Sequence, residues 1–199
     1  EVMKNNPAPM NGSQLFGVLY GSQFKFDKEK MPAEIDALRE KLMKEYEEGE
    51  KPERKKRILL TGCPSSGAPM KVVKAIEEHG GNVVVYENCG GAKSVDRLID
   101  EDAEDIYKAI AERYLAIGCS VMTPDNNRIE LMGRLLEEYN IEGVVEMTLQ
   151  ACHTYNIEAK SIEKFVKSKG LPYIHVETDY SQADIGQLDT RIAAFLEMI

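Results

Sequence analysis

Several motifs that would assign a function directly are absent from this chain. The four cysteines, at positions 63, 89, 119 and 152, form no C-x-x-C pair, so zinc-ribbon and ferredoxin-type spacings are excluded. No G-x-G-x-x-G fingerprint follows the first predicted strand and no G-x-x-x-x-G-K-[ST] occurs, so neither a dinucleotide site nor an ordinary nucleoside triphosphate site is supported. No run approaches the roughly 18 apolar residues of a membrane span, and no secretory signal pattern is found. We therefore expect a cytoplasmic protein with no membrane partner.

Positive charge is also scarce. The chain has 25 Lys and Arg residues against 34 Asp and Glu residues, a net charge of −9 at pH 7. An excess of negative charge repels phosphate backbones and argues against nucleic acid as a partner. The basic run KPERKKR at 51–57 is interpreted as a solvated linker. The length of 199 residues, 43% of them hydrophobic, is enough for one domain with a sizeable core.

From residue 57 onward, strand patterns alternate with helix patterns. Four short apolar runs, at 57–61, 82–87, 143–149 and 172–178, are typical of strands buried on both faces. Helical periodicity is found at 69–79, 103–117, 125–139, 156–169 and in the last segment. This alternation predicts a three-layer, Rossmann-like α/β fold with a mostly parallel sheet of about four strands. Residues 1–56 are predicted to be a lead-in segment with one helix, at about 32–48, followed by an α/β domain at 57–199.

The cysteines follow chain breaks rather than lying inside strands or helices. Cys63, Cys89 and Cys152 each come within a few residues of a predicted strand end, and Cys119 lies in a loop between two helix patterns. In an open parallel sheet, ligands gather outside the carboxyl ends of the strands. A lone cysteine is most often a small packing residue, but packing cysteines would be expected inside the apolar runs. The placement therefore favours a site at this edge of the sheet.

Three chemistries remain open for Cys152 besides packing. A thiol nucleophile with His153 as its base is disfavoured, because adjacent residues usually point apart. Thiolates and imidazole suit zinc. Thiolates that converge from separate loops also suit an iron–sulfur cluster.

Other residues at the same edge are candidates for supporting roles. In GCPSSG, residues 62–67, the turn leaves backbone N–H groups free at a helix start, which favours a bound anion near Gly62, Ser66 and Gly67. Gly90, in NCGG, would let the backbone approach a bulky ligand. Asp179, Tyr180 and Ser181 follow the fourth strand and could position a substrate or tune a cluster. The same stretch could equally be the entry to the last helix, with Asp184 as its N-cap.

The motifs RILLTGCPSSG, ENCGG, AIGCSVMTPDNNR, LQACHTYNIEAK and ETDYSQADIGQ together resemble the 2-hydroxyacyl-CoA dehydratase D-component family. This family includes 2-hydroxyglutaryl-CoA dehydratase subunits, benzoyl-CoA reductase subunits and double-cubane cluster proteins. The resemblance covers residues 55–199 and, more loosely, the lead-in. It implies that the chain is the C-terminal half of a larger two-domain protein.

The resemblance also implies a cofactor, partners and a chemistry. The cofactor is a [4Fe–4S] cluster with Cys152 as an iron ligand and further ligands from an N-terminal domain. The partners are an ATP-dependent activator iron–sulfur protein, a homologous subunit or second copy, and an acyl-CoA substrate that is dehydrated through a ketyl radical. Cys63, Cys89 and Cys119 resemble the larger cysteine set of the double-cubane branch, in which two cubanes serve the reduction of small molecules. Val121 replaces the second cysteine of that branch's CSCM motif, so a second cubane would form only if Cys63, Cys89 and Cys119 supply three thiolates.

Two other classes of function stay open. One is a reductase, either a double-cubane protein or a benzoyl-CoA reductase-like subunit. The other is a non-catalytic electron-transfer or interaction domain. For the isolated chain we expect neither a stably held cluster nor activity.

Overall fold

The computed structural model describes residues 1–64 and 67–199, and in them four parallel strands form one sheet. The strands are β1 (Lys56–Gly62), β2 (Gly81–Glu87), β3 (Gly143–Leu149) and β4 (Tyr173–Thr178), in the order β2-β1-β3-β4. Each strand agrees with a predicted run to within one residue at either end. The predicted fold class is therefore confirmed.

Helices cover both faces of this sheet. In the described residues they are α1 (Gly12–Gln23), α2 (Met31–Glu48), α3 (Ala68–Glu78), α4 (Ala92–Val95), α5 (Ile106–Leu115), α6 (Asn126–Glu138), α7 (His153–Ser168) and α8 (Ile185–Glu197), with a 3₁₀ turn at Val2–Lys4. The sequence pattern predicted neither α1 nor α4, so the first 56 residues contain two α-helices instead of one. Helix α7 was predicted to begin at residue 156 but begins at His153.

Two hydrophobic cores lie on opposite faces of the sheet. Alternating strand residues point to opposite sides, so Ile58 and Leu60 join the core formed with α3 and α8, whereas Leu59 joins the core formed with α6 and α7. All three are at most 1% exposed. The strands are apolar on both faces because each face is covered, as in other parallel sheets.

The N-terminal residues are part of this packing. Met3 and Met10 lie in the core with α6 and α7. The buried guanidinium of Arg57 donates hydrogen bonds to three carbonyl oxygens: Nη2 to Met3 at 2.6 Å, Nη1 to Asn5 at 2.8 Å and Nε to Tyr139 at 2.7 Å. Arg57 thereby ties the first residues to the start of β1.

Helix α5 and the loops beside it carry large apolar side chains that face solvent. Leu98 is 92% exposed, Tyr107 82% and Val121 72%, and Ile157 on α7 is 77% exposed. Among the apolar residues of the helical pattern predicted at 103–117, Ile106 and Tyr114 are 40% and 67% exposed, whereas Ile110 and Ile117 are partly buried. No helix in the described part of the chain is both long and apolar enough to cross a membrane.

Candidate functional site

The order of the strands places a crevice between β1 and β3. From β1 the chain passes to β2 on one side, and β3 lies on the other, so the connecting segments diverge above the carboxyl ends of these two central strands. Ligands of open α/β sheets bind at such a point. Cys63 directly follows β1, and Cys152 is the N-cap residue of α7, three residues after β3. The structure therefore brings two of the four predicted cysteines to this crevice.

Cys63 is the buried member of this pair. It is 4% exposed, and its N–H donates to the Met147 carbonyl at 2.8 Å. The Leu149 N–H points at its Sγ, at 3.4 Å. Burial, with a smaller contribution from the neighbouring Cys152, raises the pKa of the Cys63 thiol to about 12 against the opposing effect of the Leu149 N–H. The raised pKa favours the protonated thiol form of Cys63.

The pKa of the Cys152 thiol is shifted in the opposite direction to that of Cys63. Burial opposes ionisation, but hydrogen bonds from the Tyr155 N–H, the Thr154 side chain and Cys63 outweigh it and lower the pKa of the Cys152 thiol. The sulfur lies 3.7 Å from Thr154 Oγ1. Amide donors at a helix start stabilise a thiolate, which is the nucleophilic and metal-binding form of cysteine. His153 begins α7 and is exposed, and no hydrogen bond between it and Cys152 is seen.

This difference between the two thiols predicts a difference in reactivity. In a Cys89→Ser/Cys119→Ser background, iodoacetamide at neutral pH is expected to alkylate Cys152 at least about 100-fold faster than Cys63, because the thiolate reacts. Peptide mass spectrometry over a time course measures both rates. Equal rates would contradict the assigned environments. Urea-unfolded protein is the control, in which the two rates should converge.

Of the other two cysteines, Cys89 is exposed and Cys119 has an intermediate exposure like that of Cys152. Cys89 follows β2 and lines a pocket of about 240 Å³ with aromatic residues of α1. Nearby, burial raises the pKa of Tyr155 to about 12, whereas burial lowers the pKa of Lys93 and the Glu87 carboxylate outweighs it, so that the pKa of Lys93 is raised. Cys119 is half-buried in the loop between α5 and α6. Across residues 1–64 and 67–199, no three His, Cys, Asp or Glu side chains are grouped closely enough to hold a metal ion.

The predicted glycines have local reasons for being glycine. Gly62 has φ +109°, and a Cβ there would lie 2.0 Å from the Met147 carbonyl oxygen, so β1 can pass β3 only without a side chain. Gly67 precedes α3 as its N-cap and has open space around it. The Gly90 N–H donates to Asn88 Oδ1 at 3.0 Å. Ser66 lies outside the described residues. A cofactor contact of these residues stays a prediction.

Several residues in the segment after β4 contact the side chain of Lys71, which lies on α3. Its Nζ donates to the Ser181 carbonyl at 2.7 Å and to Asp184 Oδ1 at 2.6 Å, and lies 3.9 Å from Asp179. Asp184 is the N-cap residue of α8, as the helix-entry reading predicted, but its side chain accepts from Thr178 and Lys71 instead of capping the helix. Tyr180 is 61% exposed. A catalytic role for Asp179, Tyr180 and Ser181 stays a prediction.

Beneath the cysteines lies a buried network of charged groups that sequence reasoning missed. The Arg128 guanidinium, 0% exposed, contacts Glu87 Oε2 and Glu146 Oε1 at 3.2 Å each and also Glu158. Buried Lys93 lies 3.4 Å from the second Glu87 oxygen. Burial alone would lower the pKa of Arg128, but the carboxylates outweigh it and raise that pKa.

One signal in the sequence could have revealed this network. Glu146 interrupts the apolar strand GVVEMTL, and a carboxylate inside a strand covered on both faces must find a partner. Glu87, the last residue of β2, is likewise completely buried.

These features define a class of protein: a Rossmann-like α/β domain with a thiol of lowered pKa at the switch point of its sheet. The sequence model of the family described as 2-hydroxyglutaryl-CoA dehydratase, D-component, matches residues 1–199. The chain belongs to this family, so the predicted resemblance is confirmed.

Individual relatives agree with this assignment. The chain is 48% identical over 195 residues to the Escherichia coli (strain K12) protein called "Putative dehydratase subunit YjiM", covering 98% of the chain and 51% of the relative. It is 23% identical over 161 residues to a benzoyl-CoA reductase subunit of Thauera aromatica, covering 76% of the chain and 36% of the relative. It is also 25% identical over 104 residues to the beta chain of (R)-2-hydroxyglutaryl-CoA dehydratase of Acidaminococcus fermentans, covering 50% of the chain and 27% of the relative. The chain spans about half the length of the E. coli relative and less of the other two.

Proposed function

We propose that this chain is part of the iron–sulfur subunit of a 2-hydroxyacyl-CoA dehydratase and that Cys152 supplies one thiolate ligand to a [4Fe–4S] cluster. The observation that carries the proposal is the placement of a low-pKa thiol at the switch point of the sheet. Family membership and the similarity to two named dehydratase subunits support it.

The thiols of the described residues fit part of such a site. Cys152 has the lowered pKa and half-exposed position of a metal ligand. Cys63 would have to lose a proton held in a buried environment, so it is a poorer ligand unless a metal displaces that proton. Three or more ligand residues are not grouped together in the described residues. The remaining ligands of a single cubane would therefore come from protein outside this chain, as the resemblance implies.

When bound, a cluster of this kind supplies a low-potential electron to an acyl-CoA substrate, after reduction by an ATP-dependent activator protein. The residues of this chain have supporting tasks. Hydrogen bonds from the N–H groups at the start of α7 lower the pKa of the Cys152 thiol and so favour its thiolate form. Arg128 and Lys93 form a buried ion network with Glu87 and Glu146 on the central strands of the same sheet.

A protein partner is part of this proposal. The named relatives are subunits, and the E. coli relative is about twice as long as the matched region. The exposed apolar residues on α5 and its neighbouring loops suit a protein interface, since contiguous apolar surface on a folded domain marks contact sites. An N-terminal domain or a homologous subunit would cover them.

A related reductase is the second candidate. The similarity to the benzoyl-CoA reductase subunit covers 76% of the chain, more than the 50% covered by the hydroxyglutaryl-CoA dehydratase subunit. Cys63, Cys89 and Cys119 could also contribute to a double cubane.

The test is metal analysis of the natural protein that contains this chain, purified without oxygen. About four irons and four sulfides per chain are expected for one cubane, and about eight irons for a double cubane. Cys152→Ser should remove most of this iron and the dehydratase or reductase activity, because an alcohol does not replace a thiolate on iron. His153→Ala, at the exposed neighbouring position, is the matched control and should keep both. Full iron content in Cys152→Ser would overturn the proposal.

A further inference from the structure

The pocket that α1 forms with the end of β2 opens at the carboxyl edge of the sheet. Phe16, Tyr20 and Gln23 line it from α1, and Tyr86 and Asn88 line it from β2 and the residue after it. Its volume of about 240 Å³ is just below the range of about 300–1,000 Å³ that is usual for drug-sized ligands. The pocket is therefore of a size for one ring system and not for a larger molecule.

Aromatic rings form much of the wall of this pocket. The rings of Phe16 and Tyr20 are stacked, with centroids 5.4 Å apart and 9° between their planes. The Tyr86 ring lies 5.8 Å from that of Phe16 at an angle of 52°, and its hydroxyl already donates to the Gly12 carbonyl at 2.8 Å. Because aromatic faces attract other flat rings in offset or edge-to-face arrangements, these walls favour a planar ligand.

The charge of the pocket wall narrows the class of ligand. Among the described residues that line the pocket there is no Lys, Arg, His, Asp or Glu. A charged group that left water for this pocket would therefore find no oppositely charged partner, and burying an unpaired charge is costly. The part of a ligand that enters the pocket is expected to be neutral.

A buried amide in the pocket has a hydrogen-bond donor to spare. Asn88 is 6% exposed, and its Oδ1 accepts the Gly90 N–H at 3.0 Å. No hydrogen bond of its Nδ2 is found within residues 1–64 and 67–199. The exposed Gln23 side chain adds an acceptor, since its Nε2 points at the Gly90 carbonyl at 3.4 Å and its Oε1 has no donor in the same residues. A buried donor without a partner costs free energy, so a ligand that supplies an acceptor there is stabilised.

We propose that this pocket binds a neutral, planar nitrogen heterocycle of the nucleobase type. The ring stacks on the aromatic side chains, as bases do on aromatic residues of nucleic-acid-binding proteins. Its edge offers an acceptor to Asn88 Nδ2 and a donor to Gln23 Oε1, the kind of pairing by which Asn and Gln side chains recognise adenine. A hydrocarbon ring of the same size would leave the buried amide unpaired and is the weaker ligand.

The position of the pocket suggests two sources of such a ring. Pro64 lines the pocket and directly follows Cys63, which lies at the switch point between β1 and β3. One source is a free nucleoside. The other is the adenine end of a CoA thioester whose acyl group reaches the crevice, and only this second source rests on the proposed function.

Equilibrium dialysis of labelled adenosine with the natural protein that contains this chain tests the proposal. The wild type should bind adenosine at one site per chain, and Tyr20→Ser should weaken binding roughly fivefold or more, because a stacking partner of the base is lost. Tyr107→Ser, at an 82% exposed position on α5, is the matched control and should keep the wild-type affinity. If the wild type binds no adenosine, or if Tyr20→Ser binds it as well as the wild type does, the proposal is wrong.

A second variant tests the buried donor. Asn88→Asp keeps an oxygen for the Gly90 N–H but replaces the amide donor with a carboxylate oxygen, which only accepts. Its affinity for adenosine should fall roughly tenfold or more, because two acceptors then face each other. Circular dichroism should give the wild-type spectrum, so that a loss of binding is not a loss of fold. Undiminished affinity in the folded variant would overturn the proposal.

Competition with CoA separates the two sources of the ring. If the pocket holds the adenine of a CoA thioester, CoA should displace adenosine from the wild type and should itself bind Tyr20→Ser more weakly. If adenosine binds and CoA does not displace it, the pocket is a site for a free nucleoside and the proposal stands with that source. The iron content of Tyr20→Ser should equal that of the wild type in either case, so a failure here is distinguishable from a failure of the iron–sulfur proposal.

Discussion

Replacing Arg128 with methionine is expected to destabilise the protein by about 4 kcal/mol or more, or to prevent folding. Arg128 is 0% exposed and contacts the carboxyl groups of Glu87, Glu146 and Glu158. Removing one member of a buried ion network leaves its partners as uncompensated charges, and this penalty is larger than the pair's net contribution. Methionine fills a similar volume, so a cavity contributes little.

A second arginine on the same helix provides the control. Arg134 pairs with Asp96 at 2.6 Å, but its side chain is 49% exposed. Exposed ion pairs contribute about 0–1 kcal/mol, so Arg134→Met should change the free energy of unfolding by no more than that. Urea unfolding followed by circular dichroism measures both variants. Equal, small losses would show that the Arg128 network is not a structural requirement of the fold.

Gly62→Ala is expected to cost about 3 kcal/mol or more. The backbone at Gly62 has φ +109°, which an L-residue rarely adopts, and a Cβ would lie 2.0 Å from the Met147 carbonyl oxygen. Backbone strain contributes about 1–3 kcal/mol, and the clash with a rigid backbone atom adds to it. Because Cys63 N–H donates to the same Met147 carbonyl, the displaced strand should also expose the Cys63 thiol to alkylation.

Substitutions at two further glycines distinguish the cost of backbone strain from the cost of the steric clash. Gly170 has φ +76° with nothing near its Cβ position, so Gly170→Ala measures backbone strain alone and should cost about 1 kcal/mol. Gly67 has neither a positive φ nor a neighbour, so Gly67→Ala should be near neutral. Similar losses for Gly62→Ala and Gly170→Ala would show that β1 and β3 can move apart to accept a side chain.

The strands could be predicted because burial on both faces leaves a simple signature. Runs such as RILLT and NVVVYE are apolar without alternation, and parallel strands between two helical layers require that. The order of the strands was not predicted. It depends on which faces pack together, and a periodic pattern identifies a buried face without identifying its partner.

Helix α1 was missed for a related reason. Its sequence, GSQLFGVLYGSQ, contains three glycines, which weaken the helix signal. Gly12 is required by packing, since a Cβ there would lie 2.7 Å from the Val83 side chain. Contact with β2 overrides the poor helix propensity. The aromatic pocket beside Cys89 could not be foreseen, because α1 forms one of its walls.

The candidate site was predictable only in part. The predicted ends of β1 and β3 placed Cys63 and Cys152 at the carboxyl edge of the sheet. The structure places both residues at the crevice between these two strands. The contrast between a buried thiol and a stabilised thiolate depends on individual hydrogen bonds that no sequence pattern encodes. The ion network depends on Arg128, whose position in a helix gave no indication that it points inward.

The hydrogen bonds of Arg57 bear on how this polypeptide can be divided for study. A fragment cut just before β1, where the sheet begins, would discard the carbonyl oxygens of Met3 and Asn5 that receive the guanidinium. It would also remove Met3 and Met10 from the hydrophobic core that the sheet forms with α6 and α7. Expression of such a fragment would yield an exposed hydrophobic face beside an unsatisfied cation. The smallest piece worth cloning therefore starts well ahead of the first strand.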